Sequence, residues 1–147
     1  MDVISYLLGK NASGGGGGIE FNAFIDTTKT YSTGSTFKSL VTTIKNLDTS
    51  EMTALNGFFA SCPNLADVPV LNVSKATHMD SMFQKCPALT DESLNNILLM
   101  CIGTTSAYVS GKTLAQLGFT STNYPASRIE ALPNYQDFID AGWTIGY

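Results

Sequence analysis

The chain has few charged residues and no cluster of basic ones. Asp, Glu, Lys and Arg make up 14% of its 147 residues, and the formal net charge is −4. Average soluble domains carry about a quarter charged residues, and here Thr, Ser, Asn and Gly fill the deficit. Because nucleic-acid binding depends on Lys and Arg that neutralise phosphates, this composition argues against it and predicts a polar, nearly uncharged surface.

Long hydrophobic runs are also missing. No apolar stretch approaches the ~20 residues that span a bilayer, so we expect no membrane insertion. The chain opens Met-Asp-Val-Ile-Ser-Tyr-Leu-Leu, which is acidic where a secretory signal is basic, and its apolar stretch is short. We therefore expect no leader here, and a protein of this kind that works outside a cell would be carried there by another route.

Motifs for metal, nucleotide or catalytic chemistry are scarce. The single histidine, His78, and three widely spaced cysteines do not form a zinc pattern. Gly111-Lys112-Thr113 ends like a phosphate-binding loop, but Ser106 stands where that motif needs a glycine. Asp67 and Asp91 recur with a period, which fits turns or caps better than a catalytic pair. We predict no catalytic residue, no metal and no cofactor, and hence no enzyme.

A 24-residue unit occurs twice, at residues 47–70 and 71–94. The identical pairs are Leu47/Leu71, Ser50/Ser74, Thr53/Thr77, Phe59/Phe83, Cys62/Cys86, Pro63/Pro87, Leu65/Leu89 and Asp67/Asp91. Apolar residues with the same period begin earlier, as Val41/Leu65, Ile44/Val68 and Leu47/Leu71. A period in this range is typical of a solenoid, in which each unit stacks on the next. Because solenoids display surfaces, we predict a binding or structural protein.

Several local elements can be predicted around the repeat. Ser35 is predicted to cap a helix over residues 36–45, and helical turns are predicted at 53–61, 77–85 and 112–117, with a parallel strand near 65–71. A further helix is predicted from Thr90 or Asp91 to about Cys101, with Leu94, Ile97, Leu98 and Cys101 inward. The last elements are a helix starting at the capping box of Ser127, a helix over 135–141 capped by Asn134, and a terminal strand at 143–147. Residues 92–147 lack the repeat, so we predict that they cap the open end of the stack.

The first 18 residues predict an anchor and a linker. Val3, Ile4, Leu7 and Leu8 share one helical face, but a helix this short is marginal alone in water. It therefore needs a partner, either other copies of itself or a socket on another protein; a frayed terminus is the alternative. Gly14 to Gly18 follow directly and disfavour regular structure, so residues 14–18 are predicted to be a flexible linker.

Two groups of side chains leave alternatives open. Cys62 and Cys86 would lie about 5 Å apart on adjacent coils, which permits a disulfide, although buried reduced cysteines that pack as small hydrophobes are favoured. Aromatic residues concentrate near the C-terminus, and the candidate ligand contacts are Tyr108, Tyr124, Tyr135 and Trp143. Such rings suit sugar or protein contacts; the alternative is that most of them seal the cap.

The repeat resembles a known family. Residues 41–91 are similar to the BspA-type leucine-rich repeat. The similarity lies in three motifs, which are Leu-Asp-Thr-Ser-x-x-Thr, then Met82-Phe83 (Phe58-Phe59 in the first copy), then Cys-Pro-x-Leu. That repeat occurs in bacterial surface proteins and in bacteriophage structural proteins. Residues 1–10 with the following glycines, and residues 141–147, are similar to the ends of phage tail, baseplate or fibre-like proteins of gut bacteria.

The resemblance implies an α/β fold, a short leucine-rich-repeat solenoid with an N-terminal anchor helix and a helical C-terminal cap. The expected parts are an anchor at 1–13, a linker at 14–18, the repeat region at 19–91 and the cap at 92–147. The implied protein is a non-enzymatic virion component, a projecting decoration or fibre-like piece. It would be assembled in the host cytoplasm, docked to capsid or tail proteins and oligomeric through its N-terminus. The alternative is an adhesin, of phage or bacterial origin, for a host-surface glycan or protein.

Overall fold

The structure is a computed structural model, and it describes residues 19–22, 35–45, 47–104 and 111–147. Its elements are β1 (Ile19–Asn22), α1 (Ser35–Leu40), β2 (Val41–Lys45), α2 (Asp91–Gly103), α3 (Ala126–Glu130) and α4 (Tyr135–Asp140). Turns and extended segments make up the rest of these ranges. The anchor predicted at 1–13 and the linker at 14–18 lie outside the described residues.

Segments one period apart lie side by side in a parallel ladder. β1 also pairs with β2 in parallel, although these partners are 22 or 23 residues apart, as Ile19 with Val41 and Phe21 with Ile44. One period later, the Ala66 amide donates a hydrogen bond to the Thr42 carbonyl at 2.9 Å, and the Thr90 amide donates to the Ala66 carbonyl at 3.1 Å. Thr42, Ala66 and Thr90 are spaced 24 residues apart. The 24-residue period of the sequence is therefore also the period of this ladder.

A second row of hydrogen bonds joins the two copies at their turns. The donor amides and acceptor carbonyls, 2.6 to 3.0 Å apart, are Leu55 to His78, Gly57 to Asp80, Phe59 to Met82 and Ser61 to Gln84. Backbone conformation also repeats, because Gly57 and Ser81 have φ of 63° and 57°, and Ser61 and Lys85 have 62° and 57°. These left-handed residues interrupt any helix. The segments are consequently chains of turns, and the helical turns predicted at 53–61 and 77–85 are wrong.

The apolar positions of the repeat form the core. The buried pairs are Val41/Leu65, Ile44/Val68, Leu47/Leu71, Leu55/Met79, Phe58/Met82, Phe59/Phe83, Cys62/Cys86 and Leu65/Leu89. Burying a side chain of this size contributes about 1.5 to 3 kcal/mol relative to leaving it exposed. Each copy therefore gains most by lying in register with the next, because only that register places all its apolar groups inside.

The helix predicted over residues 36–45 is wrong in its second half. α1 ends at Leu40 and the chain continues as β2. The run Val41-Thr42-Thr43-Ile44 is β-branched throughout, and such side chains favour extended backbone when a neighbouring strand is present. β1 supplies that neighbour. The strand predicted near 65–71 is reduced to one bridge, between Thr43 and Asp67.

α2 follows the prediction closely. It starts at Asp91 with Thr90 as N-cap, whose hydroxyl accepts a hydrogen bond from the Ser93 amide at 3.2 Å. The four residues predicted to face inward, Leu94, Ile97, Leu98 and Cys101, are all buried. This helix packs along the side of the repeat and forms one wall of the surface described below.

After α2 the chain returns to the stack and adds another row. The amides of Ser81 and Phe83 donate to the carbonyls of Gln116 and Leu117 at 2.8 and 2.9 Å. Residues 114–118 form hydrogen-bonded turns that close at Gly118, whose φ is 94°, so the helical turn predicted at 112–117 begins two residues later than expected. An aromatic column runs through the rows, with ring centroids of Phe59/Phe83, Phe83/Phe119 and Phe119/Tyr124 at 5.7, 6.1 and 5.2 Å.

Among the C-terminal elements, α3 starts earlier than predicted and α4 starts where it was expected. α3 begins at Ala126 after Pro125, ahead of the predicted capping box at Ser127, because proline suits the entry to a helix. α4 begins after Asn134 as predicted, but the Asn134 side chain makes no capping bond. Over residues 143–146 burial alternates as in a strand, and Thr144 bridges to Thr113.

Candidate binding surface

Two of the four aromatic residues proposed as ligand contacts are in the core. Tyr124 and Trp143 are each 1% exposed, and the Trp143 ring lies 5.9 Å from that of Phe138. Rings so large stabilise the fold most when buried, which withdraws both of them from any surface ligand. Tyr135 is half-buried, whereas Tyr108 and the anchor residues Val3, Ile4, Leu7 and Leu8 lie outside the described residues.

The Tyr124 hydroxyl has a structural task. It donates a hydrogen bond to the carbonyl of Cys86 and accepts one from the amide of Leu89 at 3.0 Å. Burial raises the pKa of Tyr124 to about 12. The phenol is thus neutral and makes two hydrogen bonds, which connect the last row to the turn that ends the second copy.

The three cysteines are free thiols inside the core. The Cys86 thiol donates to the Phe59 carbonyl at 3.0 Å. A hydrogen bond with Cys86, together with burial, raises the pKa of Cys62, and burial raises that of Cys101. Because the thiolate is the reactive form, Cys62 and Cys101 are poor nucleophiles and weak metal ligands at neutral pH.

His78 and the periodic aspartates occupy turns and rungs. His78 is exposed, and its Nδ1 lies 2.9 Å from the Thr77 hydroxyl. Asp67 accepts a hydrogen bond from the Thr43 hydroxyl at 3.3 Å. Asp91 is the exception, because it pairs with Arg128 at 2.7 Å, and both residues line a groove beside α2.

Two grooves flank the first turn of α2 and share Glu92. The first, which we call the helix-edge groove, has a volume of about 440 Å³ and is lined by Asp91, Glu92, Asn95, Arg128, Ala131, Leu132 and Pro133. The second, the ladder groove, has about 320 Å³ and is lined by Ile44, Asp67, Val68, Pro69, Glu92, Ser93 and Asn96. Both volumes lie in the lower range of small-molecule sites.

Arg128 is the most firmly placed polar group of the helix-edge groove. Its Nε donates to Asp91 at 2.7 Å and its Nη2 to the Leu89 carbonyl at 3.0 Å, and its guanidinium carbon lies 5.3 Å from the Tyr124 ring centroid. The opposite wall is tied down too, because the Asn95 side chain makes two hydrogen bonds of 2.9 Å to Asn134. The groove is therefore held between rigid elements.

Sequence reasoning did not identify this groove. The sequence predicts Asp91 as a repeat position and as a possible helix cap, and Arg128 lies within the predicted capping box that starts at Ser127. The two residues are 37 positions apart, and no spacing rule relates a repeat residue to one that lies outside the repeat. The sequence carries no local signal that could have joined them.

No protein-family model, curated protein or solved structure matches this chain. Among the residues that the structure describes, no helix is long and apolar enough to cross a membrane. In the same ranges, no three His, Cys, Asp or Glu side chains converge as a metal site would require.

Proposed function

We propose that the chain is a short leucine-rich-repeat solenoid that serves as a non-enzymatic structural component of a bacteriophage virion. In this proposal residues 19–91 form the repeat module, residues 92–147 its cap, and the N-terminal segment the docking element. The observation that supports it is the ladder of parallel segments at the 24-residue period, with Thr42, Ala66 and Thr90 bonded in series. Such stacks present extended surfaces, which suits holding or displaying neighbours.

The polar surface of the repeat supports an architectural role. Thr53 and Thr77, one period apart, both face outward or nearly so, and Lys75 pairs with Glu51 of the preceding copy at 2.6 Å. A surface of short polar groups and matched charges stays soluble and does not collapse onto its neighbours. The proposed partners are capsid or tail proteins together with further copies of this chain, gathered through the N-terminus.

The first test is mass spectrometry of purified, nuclease-treated particles. We expect the intact chain at a fixed ratio to the major capsid protein, and that ratio would separate a head from a tail location. If the chain is absent from particles and present on cells or in the medium, the virion proposal fails and an adhesin takes its place.

A deletion tests the docking element. Removal of residues 1–18 should abolish incorporation into particles, because Val3, Ile4, Leu7 and Leu8 would no longer reach their socket. A matched control replaces only Gly14 to Gly18 by a Gly-Ser sequence of equal length, which keeps the reach of the linker and should incorporate normally. Thermal unfolding of both purified variants checks that the repeat module is intact. Normal incorporation of the deletion variant would contradict the docking proposal.

A second candidate function is binding of a host-surface glycan or protein. The helix-edge groove favours it, since this groove combines an ordered guanidinium, two carboxylates and an apolar floor. Under this function a groove variant should be incorporated into particles and yet adsorb poorly to host cells. Equal adsorption by the wild-type and variant particles would leave only the architectural role.

A further inference from the structure

We propose that the helix-edge groove is a binding site for a neutral oligosaccharide, with Arg128, Asp91 and Glu92 contacting hydroxyl groups and the exposed side chains of Ala131 and Pro133 contacting a sugar ring. This inference rests on the second candidate function and names the site and the ligand class that would serve it. It replaces Tyr124 and Trp143 as the contacts, because the fold buries both of these rings.

The groove offers donors and acceptors side by side. A guanidinium has five N–H donors, and among the described residues Arg128 uses its Nε and Nη2 on Asp91 and Leu89. Asp91 is 70% exposed and receives Arg128 through its Oδ1, so its Oδ2 takes no part in that hydrogen bond. A sugar hydroxyl both donates and accepts, so neighbouring hydroxyls match this alternation of guanidinium and carboxylate.

The polar groups are pre-organised, which lowers the cost of binding. Asp91, the Leu89 carbonyl and the Tyr124 ring together hold the Arg128 side chain. Because little rotamer freedom is left to lose, a ligand contact here forfeits less conformational entropy than one to a free surface arginine. Side chains that are anchored in this way are suited to weak, selective binding.

The floor of the groove is apolar. Ala131, Leu132 and Pro133 form it, in the connection between α3 and α4. Apolar area in contact with the C–H face of a pyranose ring would contribute through loss of hydrated surface, at about 25 cal/mol per Å². The mixed lining is unsuited to a purely apolar ligand, because such a ligand would desolvate the carboxylates without bonding them.

The charge of the groove lining favours some classes of ligand over others. Two carboxylates, Asp91 and Glu92, accompany one guanidinium, and Asp67 lies across the shared Glu92 in the ladder groove. An excess of negative charge disfavours phosphorylated or carboxylated glycans. A basic peptide is the competing occupant on charge alone, but its cationic side chains would be repelled by the Arg128 guanidinium in the same lining, whereas neutral hydroxyls would not.

The experiment is a titration of the isotopically labelled full chain, followed by NMR. Maltotriose, cellotriose and chitotriose are the neutral probes, and trilysine is the competing probe. We expect at least one trisaccharide to shift the resonances of Glu92, Arg128 and Leu132, with a dissociation constant of roughly 1 mM or below. Binding of trilysine alone, or shifts by none of the three sugars, would overturn the inference.

Two matched pairs of variants locate the site. Ala131→Trp fills the floor and should weaken sugar binding at least tenfold, whereas Ala88→Trp, at an exposed alanine of the second copy, should leave it unchanged. Glu92→Gln should weaken binding severalfold and Glu130→Gln, exposed on α3 outside the groove lining, should not. The glutamate pair decides the matter if Ala131→Trp unfolds. Equal affinity for Glu92→Gln and Glu130→Gln would contradict the assignment.

Failure of this inference and failure of the virion proposal give different results. The titration uses purified protein and does not depend on particles, whereas incorporation is measured by mass spectrometry. A chain that is incorporated but binds no neutral sugar overturns only the sugar site. A chain that binds sugar through this groove but is absent from particles overturns only the virion role.

Discussion

The hydroxyl of Ser93 accepts a hydrogen bond from the backbone amide of Val68 at 2.8 Å. One copy earlier, the equivalent amide of Ile44 donates to the backbone carbonyl of Asp67, also at 2.8 Å. A side chain of α2 thus stands where the next segment of the ladder would place its carbonyl. Asn96 completes the exchange by donating to the Val68 carbonyl at 2.9 Å. These side chains satisfy Val68 without another coil.

Ser93→Ala tests whether the Ser93 hydroxyl replaces a backbone carbonyl as the acceptor for the Val68 amide. The variant leaves the Val68 amide without its acceptor and removes a 2.8 Å bond to the Ala66 carbonyl. A buried unsatisfied donor costs about 1 to 3 kcal/mol, so we expect the free energy of unfolding to fall by that amount in urea denaturation. Ser127→Ala, at an exposed serine, should change it by less than about 0.5 kcal/mol. Similar values for the two would contradict the role of Ser93.

Gly118→Ala tests the packing of the row that follows α2. Gly118 has φ of +94°, and a Cβ there would lie 2.6 Å from the Cα of Gln84 in the second copy. Since backbone atoms cannot move aside cheaply, we expect a loss of at least about 2 kcal/mol in the free energy of unfolding. Gly103→Ala is the control, because a Cβ at Gly103 meets nothing within 4 Å. A fully stable Gly118→Ala variant would show that this row does not pack on the second copy.

Stability should fall at high pH through Tyr124. Its pKa is raised by burial to about 12, whereas an unfolded tyrosine ionises near 10. The folded state therefore keeps a proton that the unfolded state loses, so the contribution is complete below about pH 10 and disappears as the pH rises to about 12. Two pKa units correspond to about 2.7 kcal/mol.

Urea unfolding across this alkaline range measures the effect, and Tyr124→Phe supplies the comparison. The variant lacks the ionising group, so its unfolding free energy should decline less steeply over the same interval. Burial also raises the pKa of Tyr147, and that contribution remains in both proteins. Parallel curves for wild type and variant would rule out Tyr124 as the source.

The cysteines should be unreactive in the native state. Cys62, Cys86 and Cys101 are buried free thiols, and a thiol reagent requires an accessible thiolate. We expect Ellman's reagent to react with none of them rapidly in the folded protein and with all three in guanidinium chloride. One reactive thiol in the unfolded, unreduced protein would instead indicate a disulfide, with Cys62 and Cys86 as the pair that the period brings together.

The spacing of residues along the sequence was enough to predict the paired core positions of the repeat and the helix α2. The 24-residue period named the paired core residues, from Val41/Leu65 to Leu65/Leu89, and the N-cap at Thr90 with its four inward residues predicted α2. By contrast, residues 41–45 carry helical and strand spacing at once, and only the presence of β1 selects the strand. The left-handed backbone conformation of Ser61 and Lys85 could not be predicted either, because neither serine nor lysine favours a positive φ.

The repeat, its register and its buried face follow from hydrophobic periodicity, which can be read from consecutive residues. The contacts made after α2, where the chain returns to the repeat, depend instead on the three-dimensional path of the chain. That return buries Tyr124 and Trp143, which the sequence offered as surface contacts, and brings Arg128 beside Asp91. The path of the chain sets such contacts between distant segments, and packing energy summed over the whole core selects that path.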